Sequence, residues 1–401
     1  MFRQLLKPIW KRKSRNLMLS LEIALAFVVV FAIAAAASRY YQLYHLPTGF
    51  NYEDVWSVQM ELPNDDDAMK NDAQMYDKFK RSLQALPEVE QVAFANSSPY
   101  EDSTWRTGYY LPEGGADADS DLMTVSDDFF AVMGMTLTEG RWFSSADEGA
   151  AEEPVVVNRR FVQALFPGQN PLGKIISDGK PDSKDRKMLR ITGVIDDLRN
   201  HGEFMLPTNF VIARFSPQSS TRGVATILLK VKPGTERIFE ATLSNQLKLV
   251  RNDWSYRISP LSDLRESHLR RWMMPLIVFS VIAAFLLLMV AFGLFGVLWQ
   301  NTTQRIPELG LRRAIGATAG NIYRQIIVEQ LLLSTLAMLV GLVLLVQLPI
   351  TGVLGENLDW RLFSIATLIS VTIMALVSVL CALYPAWQAS RLSPTEALHY
   401  E

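Results

Sequence analysis

Four apolar runs, with a polar block over residues 39–272 between the first and the second, constrain this 401-residue chain more than any other feature of its sequence. The first run, residues 17–38, carries a single charge, Glu22. At a rise of about 1.5 Å per residue, a helix of that length crosses a hydrocarbon core of about 30 Å. The other runs occupy residues 273–299 (apolar from Pro275), 322–348 and 362–386. A hydrophobic content of 49% and a mean hydropathy of +0.12 exceed what a soluble protein usually shows and fall short of a polytopic channel. The expectation is an α-helical membrane protein with four transmembrane helices and one large ectodomain. Its one cysteine, Cys381 in the last run, excludes an intramolecular disulfide and a Cys-rich metal site.

Orientation follows from charge. Residues 1–16 hold Arg3, Lys7, Lys11, Arg12, Lys13 and Arg15 with no acid, so the positive-inside rule leaves that end in the cytoplasm. A cleaved signal peptide is the competing reading, with Ala34 to Ser38 as a small-residue cleavage site, but a signal core runs about 7–15 residues and this one is longer. Alternation then places the loop 300–321 and the tail 387–401 in the cytoplasm, and the loop 349–361 outside with the ectodomain. Arg305, Arg312 and Arg313 in the 300–321 loop agree with that, whereas Arg265, Arg270 and Arg271 lie outside, which a long translocated domain tolerates. Glu22 and Glu329 sit about two turns from the expected cytoplasmic boundary, where pairing with a neighbouring helix or reaching headgroups competes with a proton or ion site.

Residues 39–272 hold 27 Lys and Arg against 34 Asp and Glu, a formal net charge of −7, so no nucleic acid is expected as a partner. The alternation of Trp56, Val58, Met60 and Leu62 with polar neighbours predicts a half-buried strand. A helix through Met75, Phe79, Leu83 and Leu86, ended by Pro87, and a strand over Val89–Asn96 follow. A second set has strands at Phe210–Phe215 and Thr226–Val231, a helix through Ile238, Phe239, Thr242, Leu243 and Leu247, and a short strand near Tyr256–Ile258. Two β-α-β-like units thus flank an insertion at about 105–200, which predicts a split α+β domain with a second lobe.

Enzymatic chemistry is not expected there. Gly168 to Lys174 fits G-x-x-x-x-G-K, but Ile175 replaces the magnesium-binding Ser or Thr and Pro171 lacks an N–H for phosphate, so a surface turn is expected. Asp65, Asp66 and Asp67 lack the ligand spacing of a calcium loop and predict a solvated loop. His201 near Asp196, Asp197 and Glu203 suggests a metal, yet His45, His201, His268 and His399 show no paired ligand spacing.

The loop 300–321 is more specific. Pro307 suits the first turn of a helix, Glu308 complements its N-terminal dipole and Gly316 is placed to end it. On a helical wheel Leu311, Ala314 and Ile315 share an apolar side, with Leu309, Arg312 and Arg313 opposite. Such a helix either lies on anionic lipid or docks into a cytoplasmic partner.

The run Glu308, Leu309, Gly310, Leu311, Arg312, Arg313, Ala314, Ile315, Gly316 and Ala317, followed by Ile322 and Glu329, resembles the coupling-helix region of MacB/FtsX-like ABC transporter permeases. The tail from Tyr384 to Leu398 resembles the end of the same family. In the ectodomain Val125 to Phe130, Gly140-Arg141, Val155 to Asn158, Phe166 to Gly168 and Pro171 to Lys174 resemble the MacB periplasmic core. The resemblance implies a bacterial inner-membrane permease subunit, without catalytic residues or directly bound cofactor, that works as a dimer with a second copy or a paralogue. A separate ABC ATPase would hold ATP and Mg, because only about 16 residues precede the first span. It also implies a porter-like lobe beside the second lobe, ATPase coupling through residues 308–316, and mechanotransmission, in which hydrolysis below moves the periplasmic domain above. Antimicrobial, peptide or lipid export is the expected task, with a periplasmic adaptor and a TolC-like outer-membrane channel as further partners. The alternatives are an FtsX-like transmitter that activates a cell-wall hydrolase, and a ligand sensor whose basic loop only holds lipid.

Overall fold

The computed structural model describes residues 13–61, 72–103, 105–183, 186–218, 220, 223–353, 355 and 358–391. Asp65 to Asp67, the basic residues Arg3 to Arg12, and the tail from Leu392 through His399 lie outside them. The chain divides into two units, one holding the long apolar helices and the other Leu43–Trp272.

Among the described residues, four helices are long and apolar enough to cross a membrane. They are α1 (Lys13–Tyr44), α6 (Leu261–Thr303), α8 (Ala319–Leu345, prolonged by the short α9 at Gln347–Thr351) and α10 (Trp360–Arg391). All overrun the apolar stretches that announce them, because polar residues such as Ser262, Asp263, Arg265 and Glu266 continue a helix that hydropathy alone would stop. At 43 residues α6 is about 65 Å long, twice the hydrocarbon thickness. Helix α10 presents Ala366, Ser370, Met374, Ser378, Ala382 and Ala386 every fourth residue, all buried, and small side chains let backbones approach closely. Within that seam Ser334 and Ser378, both fully buried, share a 2.8 Å hydrogen bond. Gly341 on α8 is required by α1, since a Cβ there would stand 2.8 Å from the Phe27 ring. Helix α6 buries only Ala283, Val290, Leu294 and Leu298 of its apolar residues beyond Trp272.

In the other unit β1 (Val55–Glu61), α2 (Ala73–Gln84), β2 (Val89–Ala95), β10 (Thr226–Val231), α5 (Phe239–Val250) and β11 (Ser255–Pro260) form one lobe. Its strands lie side by side in the order β11-β1-β10-β2, all antiparallel. This is the split βαβ arrangement that two β-α-β units predict. Asp72 starts α2 by accepting from the backbone N–H groups of Gln74 and Met75. Phe79 and Leu83 of α2 and Leu243 and Leu247 of α5 pack on Val58, Ile227 and Leu229.

The insertion differs from its expected bounds. It contains β3 (Trp105–Tyr110), β4 (Asp117–Val125), α3 (Phe129–Val132), β5 (Leu137–Gly140), β6 (Glu153–Asn158), α4 (Arg159–Leu165), β7 (Ile175–Ser177), β8 (Met188–Ile195) and also β9 (Phe210–Arg214). Strand β9, assigned from sequence to the second flanking unit, pairs instead with β4 and β6. The pairings β4–β3–β7–β8–β6–β9–β4 close on themselves as a ring of strands. The ring is not detached: β2 meets β4 at Ala95 and Val125, and a common core joins Val55, Ala95, Leu228, Val125, Val156 and Ile212. Strands such as β6 and β10 are therefore buried on both faces, which is why Val155 to Val157 and Ile227 to Leu229 read as unbroken apolar runs rather than alternations.

Candidate functional site

The loop after α6 folds into α7 (Ile306–Ala314), with Pro307 in its first turn and Glu308 beside the N-terminal dipole. Gly316 (φ 102°) and Ala317 send their N–H groups back to the carbonyls of Arg313 and Arg312, each at 3.0 Å. That is a Schellman closure, and it needs the left-handed backbone that glycine adopts without strain. Thr318 then caps α8 by accepting from the Asn321 N–H at 3.3 Å.

The faces of α7 differ from the expected wheel. Ile306, Leu309 and Gly310 are the buried positions, and Leu309 packs with Ile322 and Ile326 of α8 and Ala386 and Ala389 of α10. Leu309, placed on the arginine side from sequence, is the anchor. Leu311 and Ile315, on the expected apolar side, are 57% and 78% exposed rather than packed against the spans. Positions 306, 309 and 310 form an i, i+3, i+4 patch, and that patch meets the seam between α8 and α10. Ala314 and Gly316 are exposed and Arg313 is half-buried.

Arg312 is not a loose basic group either. It donates to Glu308 Oε1 and to Gln325 Oε1, both at 2.8 Å. Gln325 in turn donates to Glu329 Oε1 at 2.9 Å, Glu329 Oε2 accepts from Arg305 at 2.6 Å, and Arg305 reaches Glu308 Oε2 at 3.5 Å. The circuit Arg305–Glu308–Arg312–Gln325–Glu329 joins both ends of α7 to one face of α8. Arg305 and Glu329 are 19% and 18% exposed, and although burial works against the Arg305 charge, Glu329 and Glu308 together outweigh it and raise the guanidinium's pKa. Glu329 is thus a helix-pairing carboxylate. Glu22 lies against Gly293 of α6, where a Cβ would come within 3.1 Å of its carboxylate. Sequence reasoning missed Arg305 and Gln325, since a pairing across 24 positions carries no local signal.

The decoys resolve as structure. Lys174 donates to Gln169 and lies 5.0 Å over the Phe166 ring, so the Gly168–Lys174 segment is a self-bonded turn. His201 Nδ1 faces the Glu101 carbonyl at 2.5 Å, and no group of three metal-binding side chains occurs among the described residues. Asn158 holds the fold: its amide donates to Asp197 and Thr208 O, and its oxygen accepts from the Phe161 and Phe210 N–H groups.

Comparison with known proteins covers most of the chain. Residues 17–240 match the family model of the MacB-like periplasmic core domain, and residues 280–394 that of the FtsX-like permease C-terminal region. The macrolide export ATP-binding/permease protein MacB of Bartonella quintana is 26% identical over 296 residues, 71% of this chain and 43% of its own length. The uncharacterized ABC transporter permease YknZ of Bacillus subtilis is 22% identical over 331 residues, 80% of this chain and 78% of its own. The crystal structure of the periplasmic region of MacB from Actinobacillus actinomycetemcomitans superposes with a TM-score of 0.39 at 16% identity, covering 56% of this chain and 97% of that one. The chain spans between 43% and 59% of the length of the MacB proteins it matches.

Proposed function

Because the chain belongs to the family of MacB/FtsX-like ABC transporter permeases, we propose that it is the membrane-spanning subunit through which a separate cytoplasmic ABC ATPase drives the ectodomain. ATP and Mg reside on that ATPase. Two permease chains, identical or paralogous, form the working dimer in the inner membrane, with both termini in the cytoplasm and the ectodomain in the periplasm. The work is export of an antimicrobial, peptide or lipid-type substrate by mechanotransmission, together with a periplasmic adaptor and a TolC-like outer-membrane channel.

The observation that carries this reading is the two-sidedness of α7. Its Leu309 face is bolted to α8 and α10, while Leu311 and Ile315 stand exposed beside Arg312 and Arg313. Exposed apolar side chains on a rigid helix, rimmed by charge, have the composition of a protein contact. The scarcity of charge in the spans supports transmission rather than passage, since a hydrophilic solute crossing between them would meet apolar walls.

The test is purification of the tagged chain in mild detergent from its native cells, followed by assay of hydrolysis in the eluate. An ABC ATPase is expected to co-elute, and its turnover is expected to lose coupling to substrate in the Arg312→Glu/Arg313→Glu variant. Eluate without ATPase sinks the reading. A co-eluting cell-wall hydrolase in place of an adaptor would instead support the signalling alternative.

A further inference from the structure

The largest fully buried side chain among the described residues lies in the segment between β8 and β9. Arg199 is fully buried, and its guanidinium donates to main-chain carbonyls only: Leu43 and Pro47 at 3.0 Å, Glu203 at 2.7 Å, Met205 at 3.4 Å, and Leu46. Leu43 is one residue from the end of α1, and the last carbonyls of a helix have no partner within it and carry the negative end of its dipole. A guanidinium, with five donors in a rigid fork, suits that position where an ammonium would satisfy fewer acceptors. Arg199 is therefore the cap of α1, supplied from a loop over 150 residues away in sequence.

The same segment holds the start of α6. Glu203, whose main-chain carbonyl accepts from Arg199, turns its 6%-exposed carboxylate to Arg265 in the second turn of α6. Arg265 also lies 4.5 Å over the Tyr52 ring and 3.5 Å from the Tyr44 hydroxyl at the end of α1. One short loop thus grips the ends of both long helices by which residues 43–272 are joined to the rest of the chain.

The grip is tight on three sides. A Cβ at Gly49 would lie 2.4 Å from the Asp197 carbonyl, and one at Gly202 would lie 2.6 Å from the Tyr100 ring. Tyr100 has a left-handed backbone (φ 67°), its N–H bonded to Asn200 O at 2.8 Å. A bulky residue in that conformation persists only where its surroundings over-determine it. At its ends the loop runs straight into β8 and β9 of the strand ring, and Asn158 ties Asp197 and Thr208 to the first turn of α4.

We infer that residues 197–205 are the coupling segment of the ectodomain, with Arg199 and Glu203 as positioning residues that pass displacements of α1 and α6 to the strand ring. The inference deepens the permease reading above and rests on it.

Hydrogen–deuterium exchange on the full chain in lipid nanodiscs, with its co-purified ATPase and with or without ATP and vanadate, tests it. In the wild type, amides of 197–205 are expected to change their exchange rate by at least about threefold between the two states, as sub-global opening equilibria do. In Arg199→Met and Arg265→Gln that change is expected to vanish while the change at 306–314 remains, and Arg199→Lys is expected to restore part of it. If Arg199→Met does not fold, Arg265→Gln at a 22%-exposed side chain decides alone. Variants that respond at 197–205 as the wild type does overturn this inference and leave the permease reading standing. A wild type without nucleotide response at 306–314 overturns the permease reading and this inference with it.

Discussion

At the residue scale, the motifs that mark this chain are structural parts before they are functional ones. Asn158 satisfies two buried N–H groups and two acceptors at once, and leaving buried donors unpaired costs about 1–3 kcal/mol each. Asn158→Leu is expected to destabilise the ectodomain by about 3 kcal/mol or more, read by urea unfolding of the full chain in detergent. Tyr76 offers a test by pH. Its hydroxyl donates to Val224 O at 2.8 Å and accepts from Val224 N at 2.7 Å. Burial pushes its pKa up to about 12, against the lowering effect of the bond to Val224. A group whose folded pKa is raised contributes stability that is complete below its unfolded pKa of about 10 and is lost as pH rises through the folded value. The stability advantage of wild type over Tyr76→Phe should therefore hold at neutral pH and shrink from about pH 10 toward about 12. An advantage unchanged across that window would show that Tyr76 is not linked to folding.

At the scale of elements, α7 carries an anchored face and an exposed face on one short helix, and the exposed face is the one proposed to dock. Leu309→Asp places a charge against Ile322, Ile326, Ala386 and Ala389 and is expected to lower the stability of the membrane-spanning unit by about 3 kcal/mol or more. Leu311→Ser/Ile315→Ser changes only exposed side chains, so stability should move by less than about 0.5 kcal/mol while ATPase co-purification falls. Thermal unfolding and pull-down yields, measured on the same preparations, check both halves, and equal yields from wild type and the double variant would remove α7 as the docking element. The start and stop of this helix were legible in Pro307 and Gly316. Its facing was not: a wheel groups residues by angle, but which angle points inward depends on where α8 and α10 lie.

At the scale of the whole molecule, the four-span plan predicts opposite accessibility for the ectodomain and for α7. With Cys381 replaced by serine, Trp105→Cys in the ectodomain should react with a membrane-impermeant maleimide in cells whose outer membrane is permeabilised. Ala314→Cys in α7 should react only after the inner membrane is broken; labelling of both in intact spheroplasts would refute the assigned orientation. What sequence alone determined is what depends on local composition: span number from apolar length, the orientation expectation from flanking arginines and lysines, the split βαβ lobe from the order of its strands and helices, and α7 from its punctuating residues. What only the tertiary structure decided is what depends on long-range approach: β9 closing the strand ring, Leu309 rather than Leu311 facing inward, Arg305 meeting Glu329, and Arg199 capping α1. Such contacts join residues tens to more than a hundred positions apart. Their partners are main-chain carbonyls or side chains that carry no mark of each other until the chain is folded, which is why the physics that selects them acts only in three dimensions.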